Sequence, residues 1–391
     1  MTSQTEIRVL SFLPDEAYYR DRALLFREVS KATGGFFLIT GDRNVEMEVP
    51  GFDRFQRVDL RPLRGARPWN MWRASRLAER LIRDRGVNVV HDTFSTFLPL
   101  LFRKARYPHV SFVTSLFATK RWAGRHTHRD FQRPGRVLHQ VVNSWVESQT
   151  CSRSDHVIVQ APGLVERVTE GLSLPEDRVS VITNNVDTDY WFPLPEERSD
   201  RTRPEGPKLL FVGGIHTSKR HLLLLEVLVR LKKEGIRASL TVVGNSQASD
   251  RAEALDMVAE NALGDAVQFV PRVGRDQLRS LYRDSDLFVY PTDNDGSPRV
   301  VLEALASGLP VVASRHPGIN VLDPSSEFIE FFRSGGAEEI AVAVRDLWRS
   351  PAKRSERGSV GRRAVLDRFS TAVVAQRYID LYRALRSGSQ T

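Results

Sequence analysis

Short runs of β-branched and aromatic residues recur along the chain, separated by stretches whose apolar positions repeat every three or four residues. The runs IRVLSFL (7–13), GFFLIT (35–40), NVVH (88–91), HVSFV (109–113), HVIVQ (156–160) and residues 179–182 predict strands. Most lack polar alternation, the pattern of strands covered on both faces. Amphipathic stretches such as MWRASRLAERLIRDRG (71–86) lie between them. Strand and helix in alternation predict a parallel sheet wrapped by helices.

Residues 192–208, FPLPEERSDRTRPEGPK, break this rhythm with proline, charge and no apolar period, so they predict a linker. A second series follows: KLLFVGG (208–214), SLTVVG (239–244), AVQFV (266–270), DLFVYP (286–291) and PVVAS (310–314), with helical patterns such as RHLLLLEVLVRLKKEG (220–235) between them. The expected fold class is α/β, with two tandem Rossmann-like doubly wound domains facing a cleft, 1–194 and 195–370. Such sheets bind ligands beyond the carboxyl ends of their strands.

Composition narrows the class. The 391 residues suit two domains, at ~100–200 residues each. With 41% hydrophobic and 27% charged residues, the chain is an ordinary globular one. The opening MTSQTEIRVLSF has no basic segment ahead of an apolar one, so no signal peptide is expected. The longest apolar run, FSTFLPLLF (94–102), is far short of the ~20 residues of a membrane helix. Cys151, the single cysteine, excludes an internal disulfide and suits a reducing cytoplasm. The 57 Lys and Arg against 48 Asp and Glu give a net charge of +9. The two signs are interspersed, and no zinc-finger, RNA-binding or basic-zipper signature occurs. The excess therefore reads as a solvated Arg-rich surface, with attraction to an anionic substrate or membrane surface as the alternative. Nucleic acid is not an expected partner.

Two stretches carry candidate chemistry. In FVGGIHTSKRHLLLL (211–225) a strand runs into Gly213 and Gly214, and Ser218 and Lys219 open a helix. Glycines admit backbone N–H groups to a phosphate, a helix start favours an anion, and Lys219 supplies a point charge. A plain strand-to-helix turn has the same ingredients. In DGSPRVVLEALASGLPVV (295–312), Ser297 is expected to cap a helix whose first position is Pro298, with the N–H groups of Gly296 and Ser297 at its mouth. Glu303 falls inside that helix among Val301, Leu302, Ala304 and Leu305. A buried carboxylate needs strong donors. A nearby Arg or Lys can supply them, and so can the hydroxyls of a bound sugar.

This second stretch resembles the signature of the retaining glycosyltransferases of family 4, the group 1 enzymes with the GT-B fold. That signature is Glu-x7-Glu, a small-residue helix and G-x-P-V-V; here it reads Asp295-x7-Glu303 followed by ALASGLPVV. The similarity extends over LLFVGG, TVVGN, VQFVPRV and LYRDSDLFVYPT. SDHVIVQAPGLVERV and VSVITNNVDTDYWFP (within 154–193) resemble the family's boundary between domains, and NVVHDTFS (88–95) is similar less specifically. The terminal TAVVAQRYIDLYRALRSG (371–388) resembles the helix that crosses back to the first domain, giving that domain a tail of about 371–391.

The resemblance implies roles. Lys219 would hold the diphosphate of a nucleotide-sugar donor, with Gly213, Gly214 and Ser218 around it. Glu303 would take the ribose hydroxyls and Asp295 the hydroxyls of the donor sugar. The backbone at Gly296, Ser297, Pro298, Arg299 and Val300 would border sugar and phosphate, and Arg272 and Val273 would lie beside the base. Asp295, Lys219 and Glu303 form the implied catalytic set. The implied activity is retaining, metal-independent transfer to a hydroxyl of a small molecule, a glycan or a lipid-linked glycan. No cofactor is expected beyond the donor itself. The expected location is the cytoplasm, with peripheral contact at the inner membrane face as an extension.

Departures from the pattern bear on these roles. Asp295 replaces a glutamate, Gly214 replaces an arginine, and Arg220 replaces the glycine after the lysine, where it is a candidate to restore the missing charge. Asn185 replaces a glycine in TNNVD (183–187), a change that a left-handed turn tolerates. The Gly-rich loop after the first strand is absent from SFLPDEAYYRD (11–21), and SFVTSLFATK (111–120) lacks the usual histidine. Arg125, His126 and His128 are the acceptor-side candidates. DND (293–295) and DTD (187–189) fit a metal motif but fall in predicted turns, and no metal site is expected. The basic stretches 67–85, with Trp69 and Trp72, and 119–136 belong to the first domain. Two other functions stay open: a nucleotide-sugar epimerase on the same fold, and a non-catalytic partner subunit.

Overall fold

The computed structural model describes residues 6–13, 20–40, 55–59, 67–93, 95–116, 134–193, 205–214, 219–246, 248–292, 295–332 and 336–388. The chain divides into two compact units, Met1–Asn185 with Thr371–Thr391, and Val186–Ser370.

The first unit runs β1 (Arg8–Leu13), α1 (Arg20–Lys31), β2 (Gly35–Thr40), β3 (Phe55–Asp59), α2 (Arg67–Arg85), β4 (Val89–Asp92), α3 (Leu98–Leu101), β5 (Ser111–Leu116), α4 (Pro134–Arg153), β6 (His156–Val159), α5 (Val165–Leu172) and β7 (Val179–Val181). Its strands form a parallel sheet in the order β3-β2-β1-β4-β5-β6-β7, which reverses direction of travel between β1 and β4. Strand side chains alternate between the two faces. Val9, Leu13, Val89, Val113 and Ile158 meet α1 on one side. Leu10, Ile39, Val90 and Phe112 meet α2 and α3 on the other, where Ala74, Ala78, Leu81 and Ile82 form the buried stripe of α2. Leu116, Val157 and Val159 continue that second face beneath α4 and α5. Cys151 lies in this layer, and burial pushes its thiol up to about 12, so it is core rather than nucleophile.

The second unit runs β8 (Lys208–Val212), α6 (His221–Lys233), β9 (Ser239–Val243), α7 (Ala248–Glu260), β10 (Val267–Val270), α8 (Arg275–Asp284), β11 (Leu287–Tyr290), α9 (Arg299–Ala306), β12 (Val311–Ser314), α10 (Pro317–Asn320), β13 (Ile329–Phe332), α11 (Ala337–Arg349) and α12 (Pro351–Phe369). Its parallel sheet has the order β10-β9-β8-β11-β12-β13, with the reversal between β8 and β11. Two Rossmann-like sheets are therefore present, as the strand pattern predicts. The edge strands β3 and β13 escaped the pattern because Gln56, Arg57, Asp59 and Glu330 interrupt short apolar runs.

The last helix, α13 (Thr371–Gly388), returns to the first unit. Val374, Ala375, Tyr378, Ile379 and Tyr382 pack with Phe26 and Val9, so α13 shares the face of α1. Tyr382 Oη lies 2.6 Å from His91 Nδ1, and Ser115 Oγ lies 2.7 Å from His91 Nε2. This ring is wholly buried, and desolvation, helped by the charge of Arg22, pushes its pKa down to about 3.

Two expectations about the junction are corrected. The first unit ends at Asn185, not at 194. Trp191 is buried in the second unit's core, where Arg362 donates to the carbonyls of Thr188 (3.2 Å) and Trp191 (2.6 Å), and Arg275 pairs with Asp187 at 3.3 Å. Residues 194–204 of the expected linker lie outside the described residues. Asn185 does not take a left-handed turn. It is buried, and its amide donates to Asp21 O at 3.0 Å and Thr371 Oγ1 at 3.1 Å, tying the end of the first unit to the start of α13.

Candidate active site

The candidate residues of the second unit gather at the carboxyl ends of β8 to β11, around the reversal of strand order. A crevice forms there because neighbouring helices leave to opposite faces of the sheet. β8 ends in Gly213 and Gly214, and Lys219 stands just before α6. β11 ends at Tyr290, and Asp295 follows in the turn before α9. Lys219 Nζ donates to Asp295 Oδ2 at 2.8 Å and to Tyr290 Oη at 3.1 Å, and Tyr290 Oη donates to the same carboxylate oxygen at 2.8 Å. The structure thus joins two members of the implied catalytic set through a tyrosine that the motif did not include. Tyr290 is buried, and burial and then Asp295 push its phenol well above the ordinary tyrosine range, so it serves as a donor and not as an acid. Lys219 and Asp295 keep about a quarter of their side-chain surface exposed, 25% and 27%, so the pair is open to a ligand.

The loops around this cluster are held by close backbone approach. A Cβ on Gly318 would lie 1.7 Å from Asp295 O, so only glycine lets α10 pass behind the Asp295 turn. Gly318 N also donates to His316 Nδ1 at 3.2 Å. At the end of β9, Gly244 has φ +150, and a Cβ there would stand 2.2 Å from Gly213 O. Arg272 N donates to Asn245 Oδ1 at 3.4 Å, linking the turns after β9 and β10, while the Arg272 side chain is exposed and Val273 packs on the core.

Glu303 lies one turn into α9 and is buried, as expected, and a tyrosine donates to it. Tyr282 of α8 donates to Glu303 Oε2 at 3.0 Å and reaches Val300 O at 3.2 Å. Burial and then the Glu303 charge push the Tyr282 phenol well above its ordinary range, which keeps the proton on oxygen. Ser297 is buried and stands one residue before the N-cap position of α9. The helix starts at Arg299, its N-cap is Pro298, which has no side-chain donor or acceptor, and the Pro298 carbonyl accepts from Val301 N at 3.1 Å. The sequence reading placed both one residue early.

Arg220 has φ +52, in the left-handed region, immediately before α6. The position where the resembled family carries glycine therefore has a glycine-like backbone here, with an arginine on it. Gly214 lies against the Asn245 carbonyl, at 3.3 Å from a notional Cβ. Ser218, Arg125, His126, His128, Asp293 and Asn294 lie outside the described residues. Of the aspartates in the DTD triplet, Asp187 is held by Arg275 and by Tyr190 N at 3.2 Å. Among the described residues no group of three or more His, Cys, Asp and Glu is placed to hold a metal ion, and no helix is long and apolar enough to cross a membrane.

Comparison with known proteins agrees with this geometry. The family profile described as Glycosyltransferase Family 4 matches residues 37–190, and that of Glycosyl transferases group 1 matches 195–363. The chain is 26% identical over 286 residues to glycogen synthase of Mycobacterium tuberculosis, a match covering 73% of this chain and 66% of that one. Its fold is similar to sucrose-phosphate synthase from Thermosynechococcus elongatus, with TM-score 0.73, 18% identity and coverage of 98% and 100% of the two chains. It is also similar to Anabaena HepE solved in complex with UDP-glucose, with TM-score 0.71, 13% identity and coverage of 97% and 100%. The two profiles follow one another along most of the sequence and meet the GT-B fold of the solved relatives: the chain belongs to the group 1 glycosyltransferases of family 4.

Proposed function

We propose that the chain transfers a sugar from a nucleotide-diphosphate sugar to an acceptor hydroxyl, with retention of anomeric configuration and without a metal ion. The observation that carries this reading is the Lys219–Tyr290–Asp295 cluster at the strand reversal of the second unit. A diphosphate needs a cation and backbone donors; Lys219 supplies the cation at the strand reversal, and Gly213 and Gly214 end the strand that precedes it in the chain. Glu303, oriented by Tyr282, takes the ribose hydroxyls, and Asp295 takes hydroxyls of the sugar.

In the reaction the bond between the anomeric carbon and the diphosphate oxygen breaks, and a bond to the acceptor oxygen forms on the same face. The acceptor proton passes to the leaving diphosphate, so no dedicated base is needed. Lys219, with Arg220 beside it, stabilises the negative charge that develops on the leaving group. The acceptor is a small molecule, a glycan or a lipid-linked glycan, and the reading includes peripheral contact with a membrane surface.

The test is calorimetric titration with UDP, GDP, dTDP and ADP, with and without magnesium, on the wild type, Glu303→Ala and Asp295→Ala. The similarity to HepE puts UDP first. Selective, metal-independent binding lost in Glu303→Ala, and transfer lost in Asp295→Ala, are expected. No binding of any nucleotide favours a partner subunit instead. Conversion of the donor sugar without an acceptor favours an epimerase.

A further inference from the structure

Three segments of the first unit are together strongly basic in sequence. Three segments, 67–85, 98–106 and 134–153, hold eleven Lys and Arg against three Asp and Glu, a net charge of +8, while the rest of the sequence holds 46 against 45. They contain α2, α3 and α4, which cover the same face of the first unit's sheet, with α3 touching both of the others.

The same layer carries exposed apolar surface. Trp69, Trp72, Arg76, Arg80 and Arg83 follow at spacings of three and four and are all exposed, so they form one outward stripe along α2. Trp69 and Trp72 are 49% and 44% exposed, and their rings stack at 5.0 Å. The Arg76 guanidinium lies 5.5 Å over Trp72. Phe102, Val141, Val142 and Trp145 are exposed on α3 and α4, Val141 by 60% and Trp145 by 53%. Among the described residues the first unit exposes no other large hydrophobic side chain. Glu79 lies beneath the stripe and does not oppose an anion. Burial works against its ionisation, but hydrogen bonds and charge from Arg103 and Arg76 outweigh this and hold it below the usual range, at 3.0 and 3.1 Å.

A partner for this face has to be anionic and apolar at once. Nucleic acid satisfies the arginines but offers no apolar depth to Val141, Val142 and Trp145. A bilayer of anionic lipids offers both, phosphates at the surface and acyl chains just below, and indole rings favour that boundary. We propose that the α2–α3–α4 layer of the first unit docks on an anionic lipid surface, with Trp69, Trp72 and Trp145 at the headgroup–acyl boundary and the α2 arginines on lipid phosphates. This specifies the membrane contact included in the proposed function and is independent of the donor site.

The experiment is co-sedimentation of the full chain with phosphatidylcholine vesicles and with vesicles containing phosphatidylglycerol. Melting curves and nucleotide calorimetry run in parallel. The anionic vesicles are expected to bind at least about tenfold more tightly and to lose that advantage at high salt. Trp69→Ala/Trp72→Ala is expected to lower binding about tenfold or more with its melting temperature and nucleotide affinity intact, because both rings are exposed. Arg80→Glu/Arg83→Glu is expected to lower it further, as each arginine contributes about fivefold near an anionic surface. Equal binding to both vesicles overturns the proposal. So does unchanged binding of the tryptophan variant, or displacement from anionic vesicles by duplex DNA or RNA. A wild type that binds vesicles but no nucleotide refutes the donor reading and leaves this surface standing.

Discussion

The phenol of Tyr282 donates a 3.0 Å hydrogen bond to the carboxylate of Glu303 across the gap between α8 and α9. Both groups are buried, so removing either leaves the other without this partner in a medium where water replaces it poorly. Tyr282→Phe keeps the ring and deletes only the donor. It is expected to lower stability by about 1–3 kcal/mol and to weaken nucleotide binding, read from urea midpoints and calorimetry on the same preparation. Unchanged values in both would remove Tyr282 from the site.

Arg220 combines a glycine-like backbone with a charge. Arg220→Gly relieves left-handed strain of about 1 kcal/mol and adds a comparable amount of unfolded-chain entropy, so the melting temperature should stay nearly fixed. Nucleoside diphosphate affinity should fall by about tenfold if the guanidinium serves the diphosphate. Equal affinity for the variant would mean that Arg220 is only tolerated at its position.

Gly318 is distant in sequence from the Asp295 turn but backs directly onto it. Gly318→Ala sets a Cβ 1.7 Å from Asp295 O, an overlap that only movement of the turn can relieve. A loss of at least ~2 kcal/mol is expected, together with loss of sugar transfer. Retained transfer in a folded variant would show that the turn has room to shift and that the Asp295 position is not critical.

His91 gives the first unit a pH dependence. Its folded pKa is about 3, against 6.5 for the ordinary group, so below 6.5 the unfolded chain binds the proton and the folded chain does not. The stability contributed is complete above pH 6.5 and declines as pH falls towards about 3, by about 1.4 kcal/mol per pH unit. Urea midpoints at pH 7.5 and 5.5 check this, with His91→Gln as the comparison. An identical slope in the variant would assign the effect to other groups.

Much of this was legible in the sequence because it rests on local pattern. Apolar runs marked most strands, local pattern marked Lys219 and Glu303 as candidates, and the family resemblance marked Asp295. Tyr282 and Tyr290 were hidden for a physical reason: inside LYRDSDLFVYP a tyrosine looks like core, and only its oxygen tip is chemistry. Trp191 was assigned to the wrong unit because its partners, Tyr282 at 5.5 Å between ring centres and Arg275 at 5.2 Å, lie far along the chain. The basic charge of this face read as dispersed because α2, α3 and α4 lie far apart in sequence and meet only on one face of the sheet.

The return of α13 has a consequence for how the molecule is made. The second unit is one uninterrupted length of chain, Val186–Ser370, whereas the first is completed only by Thr371–Thr391. During synthesis the later unit therefore has all its residues before the earlier one does. Until the final segment emerges, Phe26 and the uncharged ring of His91 lack the cover that Tyr378 and Tyr382 provide. A ribosome that stalls before α13 is made leaves a finished second unit tethered to a first unit whose α1 face is only partly covered, a species for chaperones to hold.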